Sequence, residues 1–317
     1  MIKKLILSAA GLAVLAGPAL ALDKVRLVNS TKVIFETEPP YTAVETGIFK
    51  KHGLEVSIIH GAGGADSLQA VITGSQDIVW GNGSLGVISA YGRGAPVRAL
   101  GSNIRGVGDL YWYVKADSPI KSFKDLKETD SFVYSSPGST TDLTSIALIK
   151  EFGIKAKKVK VGGPPAARTQ LMSGQVSTGW SVFPLNKDLV DEGKIRIIGT
   201  GSQAKELSDV TIRVIAANAN WLEKNRDVAK RFMKAMEEAL KVTYTDPSRI
   251  ETWAKRWKLK VENVKSVTKD IPYEWTTFSP IAGLDKLNKI ALETNKIKKS
   301  LTAAQLKELV HPMGNKP

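Results

Sequence analysis

The feature that most constrains the fold is an alternation of short apolar strands with amphipathic helices along the first two thirds of the chain. Strand-like runs at 25–28 and 54–58 enclose a helical pattern whose end is marked by Gly53. Further strands are predicted at 77–80 and 97–100, with a helical segment before each. Strands that alternate with helices in this way predict an α/β domain with a mostly parallel sheet.

A second unit of the same kind follows, and an almost wholly helical tail ends the chain. Strands are predicted in the second unit at 111–114, 132–134, 158–161, 178–182 and 195–198. The apolar run VTIRVIA, at 210–216, predicts one more strand. In the tail, Asp246-Pro247 opens a helix, and Thr302 with Gln305 has the spacing of a capping box.

Two short crossings, near 108–113 and 207–214, make the middle unit an insertion in the first. The sequence therefore predicts two α/β lobes joined by a two-strand hinge, with a helical C-terminal tail. Residues 22–108 plus 210–317 form the first lobe, and residues 109–209 form the second. The expected binding site is the cleft between them, which helix N-termini face from both sides.

The first 21 residues are typical of a secretory signal peptide. A basic start is followed by a short apolar run, which Gly17 and Pro18 interrupt, and by the A-x-A site at 19–21. The run is too short for a membrane anchor. The sequence contains no cysteine, so it offers neither a lipid-attachment site nor a disulfide framework. We expect cleavage after Ala21 and release of a free protein into a periplasm.

The formal net charge of +14 raises the question of a nucleic-acid or membrane-surface partner. The lysines are scattered, however, and cluster only at 155–160, 255–265 and 296–299. No basic run is interleaved with aromatic residues in the manner of a nucleic-acid-binding module. We therefore expect solvated basic faces and no nucleic-acid partner. The charge can steer an anionic ligand but does not identify one.

The segment 41–84 resembles the sulfonate, nitrate and taurine type of ABC-transporter solute-binding protein, a family that also includes pyrimidine-precursor binders. The shared elements are G-x-F-x-x-x-G-L-x-V at 47–56, a glycine-rich turn before a helix, and G-x-x-D-I at 74–78 before a small-residue loop. DSPIKSFKDLK, SSPGSTTD, EFGI and LMSGQV then follow in the family's order, so that the resemblance covers about 23–225. One departure is Ser177-Thr178, where the family usually carries an acidic residue followed by alanine.

This resemblance implies a two-lobed periplasmic binding protein of type II. Such a protein closes on a small-molecule ligand and delivers it to an inner-membrane ABC permease with a cytoplasmic ATPase. A monomer without a cofactor or metal is expected. Relatives in the pyrimidine-synthesis branch are enzymes that use cysteines and histidine, but this chain has no cysteine. His52, His60 and His311 lie beside no nucleophile and lack metal-ligand spacing, so no enzymatic activity is expected.

The loop SSPGSTTD, at 135–142, is the leading candidate for a ligand contact. Gly138 permits a tight turn, and Ser139 is placed to cap a helix whose first N–H groups face the cleft. The turn at 61–64 is its counterpart in the first lobe, and GNGS at 81–84 offers an amide and a hydroxyl at a strand end. An ordinary N-cap and plain turns are the structural alternatives. The loop lacks the P-loop pattern, so nucleotide hydrolysis is not supported.

Further candidates bring side chains to the cleft. Phe35, Glu36 and Thr37 offer a wall and polar contacts, although Glu36 disfavours a second negative charge. Trp180 and Phe183 offer stacking surfaces unless they are core residues, and Arg168 offers an anion contact unless it is a surface residue. The complete candidate ligand-binding set is Phe35, Glu36, Thr37, Gly64, Asp66, Asn82, Ser84, Ser136, Gly138, Ser139, Thr140, Thr141, Arg168, Trp180 and Phe183.

Helix N-termini and a basic chain favour a small organic anion of sulfonate or carboxylate type as the ligand. A pyrimidine or another neutral heterocycle is the alternative, because of the aromatic residues and Glu36. A periplasmic sensor partner that presents its ligand to a membrane receptor is an alternative of another class, and a secreted enzyme of the same fold is a third.

Overall fold

A computed structural model describes residues 21–276, 278 and 280–310. The predicted signal peptide, apart from Ala21, and His311 lie outside the described residues. Within these residues, no helix is both long enough and apolar enough to cross a bilayer.

The strands of the described residues are β1 (Asp23–Asn29), β2 (Leu54–His60), β3 (Ile78–Gly83), β4 (Val97–Arg105), β5 (Leu110–Lys115), β6 (Ser131–Tyr134), β7 (Lys157–Lys160), β8 (Gly179–Val182), β9 (Ile195–Thr200) and β10 (Thr211–Asn218). The helices are α1 (Glu38–Glu45), α2 (Ile48–Lys51), α3 (Gly64–Ile72), α4 (Ser84–Gly92), α5 (Thr140–Phe152), α6 (Pro164–Met172), α7 (Lys187–Asp191), α8 (Ala219–Lys224), α9 (Arg226–Thr245), α10 (Ser248–Trp257), α11 (Val261–Val264), α12 (Val267–Asp270), α13 (Leu284–Glu293) and α14 (Ala303–Leu309). Short 3-10 helices occur at Phe35–Thr37, Phe123–Asp125, Gly201–Gln203, Lys205–Leu207 and Tyr273–Trp275.

The largest sheet has five strands in the order β2-β1-β3-β10-β4. Every residue of β3 and β10 is buried, because helices cover both faces of the sheet and each face has its own apolar cluster. Helix α9 supplies Phe232 and Met236 to the cluster on one face, where they join Phe49 and Trp80. Helices α3 and α4 cover the other face.

The middle of the chain forms two smaller sheets, with strand orders β8-β5-β9 and β6-β7. Hydrogen bonds from side chains, rather than backbone ladder bonds, join these two sheets. The N–H of Val133 donates to Thr178 Oγ1 at 3.2 Å, and that hydroxyl donates to the Ser131 carbonyl at 2.8 Å. The Ser131 N–H donates to Ser177 Oγ at 3.2 Å. Ser177 and Thr178, the two residues that depart from the family pattern, therefore join two sheets of the middle unit.

The sheets are more mixed than the predicted mostly parallel arrangement. Strand β1 runs parallel to β2 and β3, and β6 runs parallel to β7, but β10 and β5 run antiparallel to both of their neighbours. The reason lies in the two crossings. The chain leaves the large sheet along β4 and returns along the neighbouring β10, so these strands run in opposite directions. Strands β5 and β9 form the corresponding pair in the middle unit.

The two crossings lie side by side. The Gly106 N–H donates to the Val210 carbonyl at 2.9 Å, and Arg105 Nε donates to the Asp209 carbonyl at 3.2 Å. Strands β5 to β9 come from between the crossings, whereas the large sheet takes strands from both sides of them. The lobe bounds 22–108 plus 210–317 and 109–209 stay a prediction.

Several local predictions have clear outcomes. Ser139 caps α5, and Thr302 with Gln305 forms a capping box on α14, as predicted. Asp66 and Gln69 also have the spacing of a capping box in the sequence, but that prediction is wrong, because α3 already begins at Gly64 and Asp66 lies within its first turn. GNGS is not a loop, because β3 extends through Gly83.

Candidate functional site

A small cavity, here called the inner chamber, lies where the middle of the chain meets the large sheet. Its volume is about 40 Å³, which is room for roughly three water molecules. The lining residues are Ser30, Thr31, Ile34, Gly63, Gly64, Gly81, Gly83, Ser135, Ser139, Thr140, Thr141, Gly163, Trp180, Val182 and Arg213. No acidic residue occurs in this lining, which is drawn wholly from the described residues, and Arg213 is its one charged member.

The start of helix α5 presents backbone donors to the inner chamber. Ser139 Oγ accepts the Asp142 N–H at 3.1 Å, so the third N–H of the helix is satisfied by the cap. Thr140 and Thr141 are the first two residues of α5, and both line the chamber. Their backbone N–H groups lie in the first turn, so no carbonyl of the same helix accepts them. Their hydroxyl-bearing neighbours Ser135 and Ser139 line the same wall. This wall is suited to an anionic or strongly polar oxygen.

Glycines allow the facing loops to approach each other closely. A Cβ on Gly83 would lie 2.5 Å from the Gly138 carbonyl oxygen and 2.8 Å from the Thr140 nitrogen. Gly138 has φ +76°, and a Cβ there would lie 2.7 Å from the Gly86 Cα. The Ala65 N–H also donates to Ser136 Oγ at 3.3 Å. Backbone therefore meets backbone at this junction, with no room for side chains.

A buried ion cluster lies behind the chamber. Arg213 Nη1 is 2.6 Å from Glu36 Oε2 and 2.7 Å from Asp109 Oδ2, and all three residues are buried. Burial raises the pKa of Glu36 to about 7, against the opposing charge of Arg213 and with a further rise from Asp109. Burial would lower the pKa of Arg213, but the two carboxylates outweigh it and raise that pKa. The Arg213 charge is thus balanced within the protein.

A second ion cluster links α5 to the helical tail. The buried carboxylate of Asp142 accepts the Gly138 N–H at 2.8 Å and pairs with both Lys158 and Lys296, the latter at 2.9 Å. Burial would raise the pKa of Asp142, but the two lysines outweigh it and lower that pKa. Lys158 belongs to the middle unit and Lys296 to the tail. The carboxylate therefore joins the two halves of the chain beside the loop that forms the inner chamber.

A larger cavity of about 300 Å³, here called the outer chamber, lies beside the inner one. Its lining combines apolar residues with basic ones. The residues are Val33, Pro164, Pro165, Arg168, Pro184, Leu185, Asn186, Lys187, Asp188, Trp257, Lys258, Leu259, Lys260, Asn263 and Val264.

The structure brings part of the predicted site together. The predicted residues that line the inner chamber are Gly64, Ser139, Thr140, Thr141 and Trp180, and Arg168 lines the outer chamber. The remaining ones lie outside both linings: Phe35, Glu36, Thr37, Asp66, Asn82, Ser84, Ser136, Gly138 and Phe183.

Most of the predicted residues that lie outside both chambers make structural contacts instead. Phe35 packs edge-on against Tyr244 and Trp253 in the core. In the amide orientation that satisfies both of its polar atoms, Asn82 donates to the Gly64 carbonyl at 2.8 Å and accepts the Gly83 N–H at 3.2 Å. Ser84 Oγ donates to the Ile212 carbonyl at 3.2 Å.

The rest of these residues divide between structural contacts and solvent. Thr37 Oγ1 donates to the Ile34 carbonyl at 2.7 Å, and the Phe183 ring packs at a tilt against Tyr111 with ring centroids 4.6 Å apart. Asp66 is exposed. Glu36 is neither exposed nor free for a ligand, because it pairs with Arg213.

Arg213 is the most informative lining residue that sequence reasoning missed. An arginine in the otherwise apolar run VTIRVIA indicates a buried charge that needs acidic partners. Ser30 and Thr31 directly follow β1, and polar residues after a strand of an α/β sheet are placed where ligands bind. Ser135 likewise directly follows β6 and belongs to the loop predicted at 135–142. Gly163 has no comparable signal, because only the tertiary structure brings it to the chamber.

A comparison with known families decides the assignment. The family model described as NMT1/THI5 like matches residues 35–250. This chain belongs to the NMT1/THI5-like family. One curated relative in this comparison is the 4-amino-5-hydroxymethyl-2-methylpyrimidine phosphate synthase THI13 of Saccharomyces cerevisiae. It is 21% identical over 250 residues, which cover 74% of this chain and 70% of the yeast protein.

Solved structures confirm the two-lobed fold for this NMT1/THI5-like protein. The alkanesulfonate-binding protein SsuA from Xanthomonas axonopodis pv. citri, bound to MOPS, matches with a TM-score of 0.74 at 16% identity, over 91% of this chain and 98% of SsuA. The periplasmic nitrate-binding protein NrtA from Synechocystis PCC 6803 matches with a TM-score of 0.68 at 16% identity, over 91% of this chain and 86% of NrtA. The predicted periplasmic-binding-protein fold is therefore confirmed.

Proposed function

We propose that this protein is the periplasmic solute-binding component of an ABC importer. It captures a small organic anion of sulfonate or carboxylate type between its lobes and delivers it to a membrane permease. The observation that carries the proposal is the inner chamber, which has free helix N–H groups, hydroxyls and an arginine in its lining but no carboxylate among the described residues. The names of the solved relatives, which bind alkanesulfonates and nitrate, support the same class.

The charge balance favours a single negative charge in the chamber. Arg213 already pairs with Glu36 and Asp109, so the attraction comes mainly from the dipole and N–H groups at the start of α5. A small oxyanion fits this source of attraction, because Thr140 and Thr141, which carry the first two N–H groups of α5, line the same small chamber. A second full charge at the same point is disfavoured by Glu36 and Asp109 behind Arg213.

Closure of the lobes is the proposed response to the ligand. A ligand that contacts Thr140 on one side and the 63–64 turn on the other stabilises only the state in which these surfaces face each other. Binding then shifts the population toward that state. The contacts Ser136 to Ala65 and Asp142 to Lys296 form in the same state and add to it.

A neutral heterocycle is the second candidate ligand. Trp180 lines the inner chamber, and the yeast relative is named for a pyrimidine product. Trp180 Nε1 donates to the Gly162 carbonyl at 2.9 Å, which fixes the plane of the indole ring. A fixed aromatic wall is suited to stacking with a flat ligand.

A ligand screen separates these classes. The protein from residue 22 onward is heated with methanesulfonate, benzenesulfonate, benzoate, nitrate or uracil, each at millimolar concentration. A ligand at a hundred times its Kd stabilises the native state by about 2.7 kcal/mol, which raises the Tm by several degrees. We expect sulfonates or carboxylates to raise it. A rise with uracil alone, or with no compound, would contradict the anion proposal. Recovery of the ligand unchanged is expected, since the proposed role is not enzymatic.

The delivery step has its own test. Permease and ATPase genes beside the gene for this protein would support import. A lone histidine-kinase gene in that position would favour the sensor alternative instead.

A further inference from the structure

We infer that the outer chamber holds the far end of the same ligand, and that the ligand is a compound with an apolar body and an acidic group at each end. This inference rests on the proposed function, since it assumes an anion in the inner chamber. It adds the class of ligand that the whole cleft accepts.

The two chambers adjoin along the chain. Ile34 and Gly163 line the inner chamber, and their sequence neighbours Val33 and Pro164 line the outer one. Thr31 and Gly163 lie close to each other at this boundary, because a Cβ on Gly163 would lie 3.3 Å from Thr31 Oγ1, and both residues line the inner chamber. The inference is that a ligand held in the inner chamber extends over this contact into the outer chamber.

The wall of the outer chamber is suited to an apolar body. Its volume of about 300 Å³ is at the lower end of the range for small-molecule pockets. Three prolines and Trp257 line it. The Trp257 ring is held edge-on to His60 with centroids 5.2 Å apart. Rigid rings of this kind lose little conformational entropy when they contact a ligand.

The charges of the outer chamber favour an acidic group of the ligand. Four basic residues line it, against the single carboxylate of Asp188. Lys187 is already paired with Asp191 at 2.7 Å. In the described part of the chain, however, Arg168 and Lys258 make no ion pair. The nearest polar partner of Arg168 is Asn186 Oδ1 at 3.4 Å, which is a weak contact. Its guanidinium is therefore available for a bidentate contact with a carboxylate or sulfonate.

Paired ligands test this inference. The Kd values of benzenesulfonate and 4-sulfobenzoate are measured by calorimetry for the protein from residue 22 onward and for Arg168→Leu, Lys258→Asn and the control Lys298→Leu. We expect 4-sulfobenzoate to bind about tenfold more tightly than benzenesulfonate, because a hydrogen-bonded charge pair is gained. Arg168→Leu should remove most of that ratio, so that the Kd values of the two ligands approach each other. Asparagine at 258 suits the left-handed backbone of Lys258 and should reduce the ratio in part.

The outcomes distinguish this inference from the proposed function. Equal affinity of the two ligands in the unmodified protein would overturn the inference and leave the anion proposal standing. The inference would also be overturned if Arg168→Leu and Lys258→Asn both kept the full ratio of the benzenesulfonate Kd to the 4-sulfobenzoate Kd. A failure of 4-sulfobenzoate alone to bind would overturn only the inference, whereas a failure of both ligands to bind would contradict the proposed function itself, and the inference with it. Lys298→Leu should retain both Kd values.

Discussion

The substitution Gly83→Ala isolates lobe closure from folding. Gly83 has φ −58°, so alanine is free of backbone strain at this position. The added methyl would nevertheless lie 2.5 Å from the Gly138 carbonyl oxygen and 2.8 Å from the Ser139 carbonyl carbon. Both atoms belong to the backbone of the facing loop, so the neighbour cannot move aside by changing a rotamer. The clash arises only when the two loops are in contact.

The magnitude follows from the cost of overpacking. Insertion of a methyl group into a filled space costs about 1 to 3 kcal/mol. Since this cost applies to the closed state alone, it lowers the affinity for a ligand that requires closure. The expected loss is roughly 5- to 150-fold. The unliganded protein avoids the contact by opening, so its Tm should change much less than the Tm of the ligand-bound form.

Calorimetric titration with the best ligand of the screen measures the effect, with Gly101→Ala as the matched control. A Cβ on Gly101 would lie 3.4 Å from the flexible end of Met233, which is an ordinary contact. The control should bind within about twofold of the unmodified protein, because the gap to Met233 accepts a methyl group without strain. An unchanged Kd in Gly83→Ala would refute the idea that ligand binding brings these loops together.

Four further predictions concern buried polar groups and their partners. The pKa of Glu36 is raised from 4.5 to about 7 in the folded protein, so the native state holds a proton that the unfolded chain has already lost above pH 4.5. The free energy of unfolding therefore falls as the pH rises from 4.5 to 7. Glu36→Gln should reduce that slope, measured by urea unfolding from pH 4.5 to 7.5, by up to about 1.4 kcal/mol per pH unit. Asp142→Asn leaves two lysines without a buried partner and should cost about 3 kcal/mol in urea unfolding. Lys296→Met, which removes only the cross-lobe partner, should weaken ligand binding in calorimetry more than it lowers stability. Thr178→Val leaves the buried Val133 N–H unpaired and should cost about 1 to 3 kcal/mol with no change in Kd.

Opposite results would contradict each of these predictions. A pH slope that is the same in Glu36→Gln and the unmodified protein would place the titration elsewhere. Full stability in Asp142→Asn would mean that the lysines find other partners, and a loss of ligand affinity in Thr178→Val would link the sheet junction to the site.

Local rules explain why much of the fold could be predicted from the sequence. The caps at Ser139 and Thr302 depend on residues three positions apart in the sequence. The buried strands are recognisable as short runs of apolar residues. The direction of β10 relative to β3 depends instead on where the chain returns after about one hundred residues. No local pattern carries that information.

The site was only partly predictable for a similar reason. Thr140 and Thr141 could be predicted as candidates because a helix N-terminus is a local feature with a known chemistry, and the structure places both in the lining of the inner chamber. Asn82 and Ser84 have the residue types of ligand contacts, but they are used for hydrogen bonds to the backbone of neighbouring segments. Whether a polar side chain faces a chamber or a carbonyl depends on packing between segments far apart in the sequence.

The central claim is that a small anion binds at the start of helix α5, inside the inner chamber. A crystal structure with 4-bromobenzenesulfonate tests it most directly, because the anomalous signal of bromine fixes the orientation of the ligand. We predict sulfonate oxygens within hydrogen-bond distance of the N–H groups of Thr140 and Thr141, and the bromine peak in the outer chamber. A ligand bound elsewhere, or one with its sulfonate turned away from these two N–H groups, would contradict the claim.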